Sequence, residues 1–335
     1  MKNILVVNVN WLGDAVFSTP VFKALKDNFP HARVTCLCAP RVKSVLEHCP
    51  FIDEIIIIDE KRRHFWPWDK WTLLQELRQR RFDAAFILHR SSTRGLITYL
   101  AGIPIRVGYC KTSAWLTHPV KFNDEGIHRS DVYLNVLRAW GLKITDSTSQ
   151  LRLKEEEVES LNLFLEEKGI NAQEKFIVLH TSGNWELKRW PASYFAALIE
   201  SLTAKYPYKI ILSGAHADLE YCRALNEQTG YKAVVVAGET SLGQSLALYK
   251  RAIVVVSSDS GPLHLAHSVG ANIIGLYGPT RPEITGPKGT GEAYLFFREI
   301  ACNKTPCYYL ACSNNVCMQS IAVQDVTQAI EKFIS

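Results

Sequence analysis

The sequence predicts an α/β protein made of two similar doubly wound domains. Short apolar runs of strand length alternate with longer segments of helical periodicity along the 335 residues. This alternation is typical of parallel sheets whose strands are joined by right-handed crossover helices. The same order of strand, polar glycine turn, helix, proline and strand opens near residue 4 and again near residue 176. The repetition favours two domains over one large sheet.

The first half contains five predicted strands. Residues 4–9 form the first strand and residues 15–28 the helix after it, with Pro20 near enough to the helix start to be tolerated or to kink it. The other strands of this half are predicted at residues 33–38, 54–58, 84–89 and 105–108, and its other helices at residues 41–48, 71–80, 94–100 and 131–140.

The domain junction is predicted near an amphipathic helix at residues 155–168, which follows a polar stretch. We place the domains at residues 1–160 and 161–335. The second domain has predicted strands at residues 176–180, 209–213, 253–256 and 273–277, and helices at residues 192–205, from residue 263, and at residues 323–334. The last helix could pack on either domain. Ligands of such sheets bind outside the carboxyl ends of the strands, so two facing domains would share one cleft.

Composition excludes several classes of protein. Hydrophobic content of 47% and charged content of 21% are typical of a soluble globular chain, and the longest apolar runs are too short to span a bilayer. No small-residue cleavage site follows the first apolar run, so we expect no signal peptide and a cytoplasmic location. The net charge of +5 fits an anionic ligand or a membrane face, but is too small to indicate nucleic acid.

The cysteines do not predict a disulfide framework, because their number is odd and no export signal is present. Four of the nine have a regular C-x4-C-x4-C-x4-C spacing: Cys302, Cys307, Cys312 and Cys317. Four thiolates could bind zinc, but structural zinc sites usually offer two close C-x2–4-C pairs. We therefore favour cysteines that bind no metal.

The turn after the strand at residues 253–256 is the first candidate site. It places Asp259, Ser260 and the backbone N–H groups around Gly261 at the start of a helix, where the helix dipole favours an anion such as a phosphate. His264, in the first turn of that helix, can face the same crevice. Considered alone, the turn is more often an ordinary βαβ connection, with Ser and Gly acting only as cap and bend.

A second candidate site follows the strand at residues 176–180. Small hydroxyl side chains, among them Ser182, precede Lys188 and Arg189 at the mouth of the next helix, and together they could cradle a phosphate. The segment lacks GxxxxGK[ST] and is therefore not a P-loop. A solvated Lys-Arg pair is the alternative. A third turn, at residues 213–218, could border the base or ribose of a nucleotide or be a simple connection.

Asp14 is the candidate general base. It follows the first strand at a helix start, where the ionised carboxylate is favoured, although capping the helix is an equally weighted role. Several cations of the same half follow strand ends or lie in loops and could bind an anionic acceptor, while most such charges are simply solvated. They are Lys61, Arg62, Arg63, His64, Arg90, Arg94, Arg106 and Lys111.

Taken in order, the motifs resemble those of the ADP-heptose:lipopolysaccharide heptosyltransferases of glycosyltransferase family nine. The resemblance runs nearly from end to end of the chain. It is carried by Leu12-Gly13-Asp14 with Pro20, Arg90-Ser91-Ser92, Lys188-Arg189-Trp190-Pro191, Asp259-Ser260-Gly261-Pro262 with His264, Tyr277-Gly278-Pro279-Thr280, and Cys307, Cys312 and Cys317-Met318. Ser260 stands where Thr is usual in the family, and it keeps the hydroxyl.

The resemblance implies a GT-B fold, with two Rossmann-like domains facing across a cleft and the nucleotide sugar held mainly by the second. It implies inverting transfer of heptose from ADP-L-glycero-D-manno-heptose to the inner core of lipopolysaccharide, without a metal or other cofactor. Asp14 would be the general base and Lys188 would neutralise the diphosphate. The remaining donor-site residues would be Ser182, Asp259, Ser260, Gly261 and His264.

The expected acceptor is a lipid-linked core bound by the first domain, with Arg62, Arg63, Arg90 and Arg94 as candidate contacts. The enzyme would work at the cytoplasmic face of the inner membrane, which basic and aromatic residues at 62–68 could touch. A relative with another nucleotide sugar or acceptor is the first alternative. A non-catalytic nucleotide-sugar-binding module is the second, although it would not need Asp14. A Rossmann dehydrogenase is disfavoured, because residues 8–14 lack GxGxxG.

Overall fold

A computed structural model of the chain describes residues 1–59, 67–183, 185–300, 302, 307, 312 and 314–334, with the side chains of residues 67–70 left out. The chain divides into two compact units, Met1–Arg152 and Leu153–Ser335. This division lies eight residues before the predicted boundary, because the helix at residues 155–167 belongs wholly to the second unit. There, Gln244 donates a hydrogen bond to Ser160, and Arg251 donates one to Asn162.

The first unit is a six-stranded parallel sheet with helices between its strands. The strands are β1 (Asn3–Val7), β2 (Arg33–Cys38), β3 (Glu54–Ile57), β4 (Ala84–Ile87), β5 (Ile105–Gly108) and β6 (His118–Pro119), and the helices are α1 (Leu12–Phe17), α2 (Thr19–Asn28), α3 (Pro40–Leu46), α4 (Pro67–Gln79), α5 (Ser92–Leu100) and α6 (Arg129–Ala139). The spatial order is β3-β2-β1-β4-β5-β6. The strand order therefore reverses between β1 and β4, which is the topological switch point of this sheet.

The predicted helix at residues 15–28 is in fact two helices that meet at Ser18. Pro20 is the second residue of α2, where its missing N–H costs no intrahelical hydrogen bond. The Ser18 and Thr19 hydroxyls donate to the carbonyls of Ala15 and Val16, each at 2.8 Å. These bonds satisfy acceptors at the end of α1 and stabilise the break.

The second unit repeats the topology of the first. Its strands are β7 (Phe176–His180), β8 (Lys209–Ser213), β9 (Val234–Val235), β10 (Val255–Ser258), β11 (Ile273–Tyr277) and β12 (Ala293–Phe297), and its helices are α7 (Glu155–Glu167), α8 (Ala192–Lys205), α9 (Leu219–Gln228), α10 (Leu242–Arg251), α11 (Gly261–Ser268), α12 (Pro282–Thr285), α13 (Val316–Gln319) and α14 (Val323–Ile334). All strands are parallel, in the order β12-β11-β10-β7-β8-β9. The switch point here lies between β7 and β10. The prediction of two similar doubly wound domains is confirmed.

The strands next to each switch point are almost completely buried. The four residues Ile4 to Val7 of β1 and all five residues of β7 are buried, as expected for parallel strands covered on both faces. Helix α14 packs within the second unit, where Val326, Ala329 and Ile330 join its core. None of the helices within the described ranges combines the length and apolarity needed to cross a bilayer.

Several elements of the second unit were absent from the sequence prediction, notably β9, β12, α9 and α10. Helix α10 carried a signal that could have revealed it. Ser241 and Gln244 form a capping box, in which the Gln244 N–H donates to the Ser241 hydroxyl at 3.1 Å and the Ser241 N–H donates to the Gln244 side chain at 2.9 Å. Strand β9 has two residues and carries no comparable signal.

Candidate active site

The predicted donor residues lie at the carboxyl ends of β7 and β10, the strands that flank the switch point of the second unit. Strand β10 extends through Ser258, two residues beyond the predicted end, because Ser257 and Ser258 continue the register with β11. Ser260 occupies the N-cap position of α11, and Gly261 begins the helix. The Ser260 hydroxyl makes no capping bond and lies 3.1 Å from the Ser257 hydroxyl.

Asp259 is the centre of this site and is only 3% exposed. Its Oδ2 accepts hydrogen bonds from Lys188 Nζ at 2.7 Å, Thr280 Oγ1 at 2.6 Å and Thr285 Oγ1 at 3.1 Å. His264 Nε2 lies 3.4 Å from Oδ1. Burial alone would raise the pKa of Asp259, but the His264 hydrogen bond and the Lys188 charge outweigh it and hold the pKa well below its ordinary value. The carboxylate is therefore ionised.

Lys188 connects the two strand ends. It lies in a short 3-10 helix, Glu186–Lys188, after β7, and its ammonium also donates to the Asp259 backbone carbonyl at 3.1 Å. Its side chain remains 21% exposed, whereas that of Asp259 is 3% exposed. The sequence pattern placed Lys188, Asp259 and His264 in one site, and the structure brings them together. The sequence pattern did not predict that Thr285 belongs to this site.

Ser182 belongs to a buried polar network. Its hydroxyl lies 3.1 Å from Nε2 of His180, whose Nδ1 lies 3.1 Å from the Ser213 hydroxyl at the end of β8. Burial lowers the pKa of His180 to about 4, so the ring is neutral at physiological pH. The third predicted turn also lies beside this loop, since Asp218 Oδ1 is 3.8 Å from Arg189 Nη2. Contact of these residues with a nucleotide stays a prediction.

Asp14 lies in the first turn of α1, close to the carboxyl end of β1. Its Oδ1 accepts a 2.6 Å hydrogen bond from the Tyr133 hydroxyl and lies 3.9 Å from Arg129 Nε, and both partners belong to α6. The N-cap of α1 is Trp11, so Asp14 is not the capping residue. Its side chain is 28% exposed, and within the described residues Oδ2 has no hydrogen-bond partner. The capping alternative is thereby weakened, and a carboxylate oxygen is open to a ligand.

The predicted acceptor residues have different environments. Arg94 is 1% exposed, and its guanidinium donates to the Asn8 carbonyl at 2.5 Å and to the Asn10 side chain at 2.8 Å. This position makes Arg94 an anchor of the loop between β1 and α1 and gives no support to direct acceptor binding. Arg90 is exposed, with its guanidinium 4.8 Å from the Phe122 ring centre. Arg62 and Arg63 lie outside the described residues.

A half-buried histidine, His89, lies beside the loop between β1 and α1. The side chain of His89, just beyond β4, has its Nε2 3.4 Å from Asn10 Nδ2. Burial, aided by the charge of Arg94, lowers the pKa of His89 to about 4. Each switch point thus has a neutral histidine next to its loop.

The cysteines are all free thiols, including the four in the regularly spaced cluster. Within the ranges that the structure describes, His, Cys, Asp and Glu side chains form no group of three that could hold a metal ion. The donor set of the candidate site consists of hydroxyls, an ammonium and helix N–H groups, which are suited to an anionic ligand.

Comparison with known proteins agrees with this architecture. The family model described as glycosyltransferase family 9 (heptosyltransferase) matches residues 70–315. Lipopolysaccharide heptosyltransferase 2 of Escherichia coli K12 is 26% identical over 308 residues, which cover 85% of each chain.

Two solved structures share the fold. The family 9 glycosyl transferase from Veillonella parvula superposes with a TM-score of 0.87 at 26% identity, covering 99% of this chain and 97% of that one. The ADP-heptose LPS heptosyltransferase II of Escherichia coli superposes with a TM-score of 0.79 at 22% identity, covering 99% and 98%. The predicted GT-B fold is confirmed. Because the family match also spans most of the sequence, the chain belongs to glycosyltransferase family 9, the heptosyltransferases.

Proposed function

We propose that this protein transfers heptose from ADP-L-glycero-D-manno-heptose to the inner core of lipopolysaccharide, with inversion at the anomeric carbon. The observation that carries the proposal is the Lys188 ammonium, held 2.7 Å from the buried Asp259 carboxylate beside the N-terminus of α11. Such an arrangement suits the diphosphate of a nucleotide sugar. The similarity of the chain to the ADP-heptose LPS heptosyltransferase II of Escherichia coli supports ADP-heptose as the donor.

The second unit would stabilise the departing ADP. Negative charge grows on the diphosphate as the bond to the sugar breaks, and preorganised donors that meet this charge lower the barrier. Lys188 would supply the positive charge, since Asp259 and the Asp259 carbonyl fix its ammonium in place. The hydroxyls of Ser182 and Ser260, the N–H groups from Gly261 and the His264 ring would complete the donor site. This set of donors needs no metal ion.

The first unit would activate the acceptor. An acceptor hydroxyl would transfer its proton to Oδ2 of Asp14 while its oxygen forms a bond to the anomeric carbon, and the electrons of the broken bond would leave with ADP. The exposed Arg90 would attract an anionic group of the core, and Arg62 and Arg63 remain candidates for the same task. A pure nucleotide-sugar-binding module has no use for an open carboxylate, so Asp14 favours the enzyme over that alternative.

The direct test is incubation of the purified protein with ADP-heptose and a panel of truncated core lipids, following ADP release and the mass of the lipid. We expect one acceptor to gain the mass of a heptose, with an equal amount of ADP released. ADP-heptose that stays intact with every acceptor, while another nucleotide sugar turns over, would show that the donor assignment is wrong. A variant lacking the Asp14 carboxylate serves as the inactive control.

We further propose that the enzyme is a peripheral protein of the cytoplasmic face of the inner membrane. The basic residues Arg62 and Arg63, predicted to contact the membrane, lie outside the described residues, as does the adjacent Lys61. Support comes from one face of α4 and α5, where Trp71 is 53% and Leu100 42% exposed. The Arg78 guanidinium lies 5.6 Å from the Trp71 ring centre.

The same face carries a second aromatic and cation pair. Tyr99 is 47% exposed, and the Arg106 guanidinium lies 5.3 Å from its ring centre. A cavity of about 580 Å³, lined by Trp71, Leu100 and Trp115 among others, opens between these elements. Exposed aromatic rings beside guanidinium groups suit the headgroup layer of a bilayer, where one end of the side chain is apolar and the other is wet.

Flotation with vesicles of phosphatidylglycerol and phosphatidylethanolamine tests the membrane contact. We expect Trp71→Ser/Leu100→Ser to reduce the floated fraction severalfold, because it removes two exposed apolar side chains from the proposed face. Leu163→Ser, which changes a 65% exposed leucine on α7, is the matched control and should float like the parent protein. Equal flotation of all three proteins would count against this face. Flotation that is also unchanged after neutralisation of Lys61, Arg62 and Arg63 would count against the membrane contact as a whole.

A further inference from the structure

The Tyr133 hydroxyl is a buried donor aimed at the Asp14 carboxylate. The residue is 6% exposed, and its Oη lies 2.6 Å from Oδ1 of Asp14. Burial, together with the negative charge of Asp14, raises the pKa of Tyr133 well above its ordinary value. The phenol therefore stays protonated and donates its hydrogen to the carboxylate at every physiological pH.

We propose that Tyr133 is a positioning residue that fixes the Asp14 carboxylate so that Oδ2 faces the acceptor hydroxyl. The terminal torsion of an aspartate is broad, so without a partner the two oxygens would exchange places readily. The Tyr133 hydrogen bond engages Oδ1 and leaves Oδ2 without a partner in the described part of the chain. This inference rests on the proposed role of Asp14 as the base.

Helix α6 is well suited to hold Tyr133 in place. Arg129 lies one helical turn earlier, so it shares a face with Tyr133 and places its Nε 3.9 Å from the same carboxylate oxygen. Arg129 is itself held by Asp124, whose Oδ2 accepts from its Nη1 at 3.3 Å. Its positive charge faces Oδ1 and adds to the Tyr133 donor on the same side of the carboxylate.

The packing of α6 on α1 does not depend on this hydrogen bond. Phe17 of α1 packs edge to face on His128, which precedes α6, with ring centres 5.6 Å apart. Val132 and Val136 of α6 are completely buried. Removal of the Tyr133 hydroxyl therefore leaves the two helices in contact and affects mainly the orientation of Asp14.

Tyr109 provides a matched control for the loss of a buried hydroxyl. It is 1% exposed, and its hydroxyl donates a 2.6 Å hydrogen bond to the carbonyl of Val132, the residue next to Tyr133. The bond has the same length as that between Tyr133 and Asp14, but it does not involve the carboxylate. Tyr109→Phe thus reproduces the structural cost of Tyr133→Phe without its proposed effect on the base.

Steady-state kinetics of Tyr133→Phe, Tyr109→Phe and Asp14→Ala with ADP-heptose and the active acceptor test the inference. We expect Tyr133→Phe to lower kcat about tenfold, less than the roughly hundredfold loss that a misplacement of about 1 Å can cause, and to leave the donor KM within about twofold. Tyr109→Phe should keep kcat within about twofold. Thermal unfolding followed by circular dichroism checks that each variant is folded, since ADP binding would report on the second unit alone.

The outcomes separate this inference from the proposed function. Parental kcat in Tyr133→Phe together with an inactive Asp14→Ala would overturn the positioning role and leave the base intact. An equal loss of kcat in Tyr109→Phe would show that the effect is structural and would also overturn it. Retained turnover in Asp14→Ala would instead remove Asp14 from the role of base, on which this inference rests. No heptose transfer by the parent protein with any acceptor would contradict the proposed function itself.

Discussion

The two switch points have the same topology but hold their carboxylates in opposite ways. In the first unit, Asp14 is 28% exposed and has a short hydrogen bond on one oxygen only. In the second unit, Asp259 is 3% exposed and is surrounded by an ammonium, two hydroxyls and an imidazole. The comparison shows that two carboxylates at equivalent positions of the fold can have different chemical roles. The number of hydrogen-bond partners and the burial of the side chain decide which role each can take.

Each environment suits a different task. A general base must present an accessible lone pair to the proton that it takes, and Asp14 meets this condition. Asp259 cannot, because its oxygens already accept hydrogen bonds and its pKa is held well below the ordinary value by His264 and Lys188 despite burial. We infer that Asp259 is an anchor that fixes the Lys188 ammonium, and that the reactive carboxylate is Asp14.

The largest expected effect comes from removing the open carboxylate. Asp14→Ala should lower kcat by about a thousandfold, within the range for a general base, while the Kd of ADP measured by calorimetry changes less than about twofold. Asp131→Ala, which removes another partly exposed carboxylate of the same unit, is the control and should keep its activity. A variant that retains most of its turnover would remove Asp14 from the role of base.

A smaller effect is expected at the anchored pair. Lys188→Ala should weaken ADP binding between about tenfold and a hundredfold, the value of a charge-assisted hydrogen bond, and should lower turnover as well. Lys205→Ala removes another lysine of the second unit that is paired with a carboxylate, Glu331, and is 58% exposed, so it serves as the control. ADP binding that is unaffected by Lys188→Ala would show that the diphosphate is held elsewhere.

The smallest expected effect concerns pH and the two neutral histidines, His180 and His89. The pKa of His180 is lowered to about 4 from 6.5, so the unfolded chain binds more protons than the folded one between these values. Stability is therefore complete at neutral pH and is lost as the pH falls, by about 2 kcal/mol between pH 7 and pH 5. Urea unfolding should show this loss in the parent and a smaller one in His180→Asn.

His89 sharpens the comparison between the units. The pKa of His89 is also lowered to about 4, but its ring is less buried than that of His180, so His89→Asn should flatten the pH dependence less. Identical pH profiles in the parent and both variants would contradict the assignment of neutral histidines to the two loops.

Much of the fold could be predicted from local pattern. Apolar runs located all nine predicted strands to within two residues, because parallel strands buried on both faces are nearly continuous in apolar residues. These are β1, β2, β3, β4, β5, β7, β8, β10 and β11. Strand β9 and helix α9 were absent from the prediction, since a two-residue strand and a largely polar helix give little periodic signal. The break at Ser18 was also missed, since its stabilising hydroxyl bonds belong to the folded backbone.

The sequence by itself determined the class of protein and the candidate residues Asp14, Lys188 and Asp259, because strand, turn and helix-start patterns are local and the family motifs are contiguous. The tertiary structure alone decided which polar side chains are turned inward. It brought Tyr133 to Asp14 across 119 positions in the chain, and it buried Arg94, a predicted acceptor contact, against the loop between β1 and α1. Such contacts depend on how helices pack on a sheet, and they cannot be deduced from the spacing of residues along the chain.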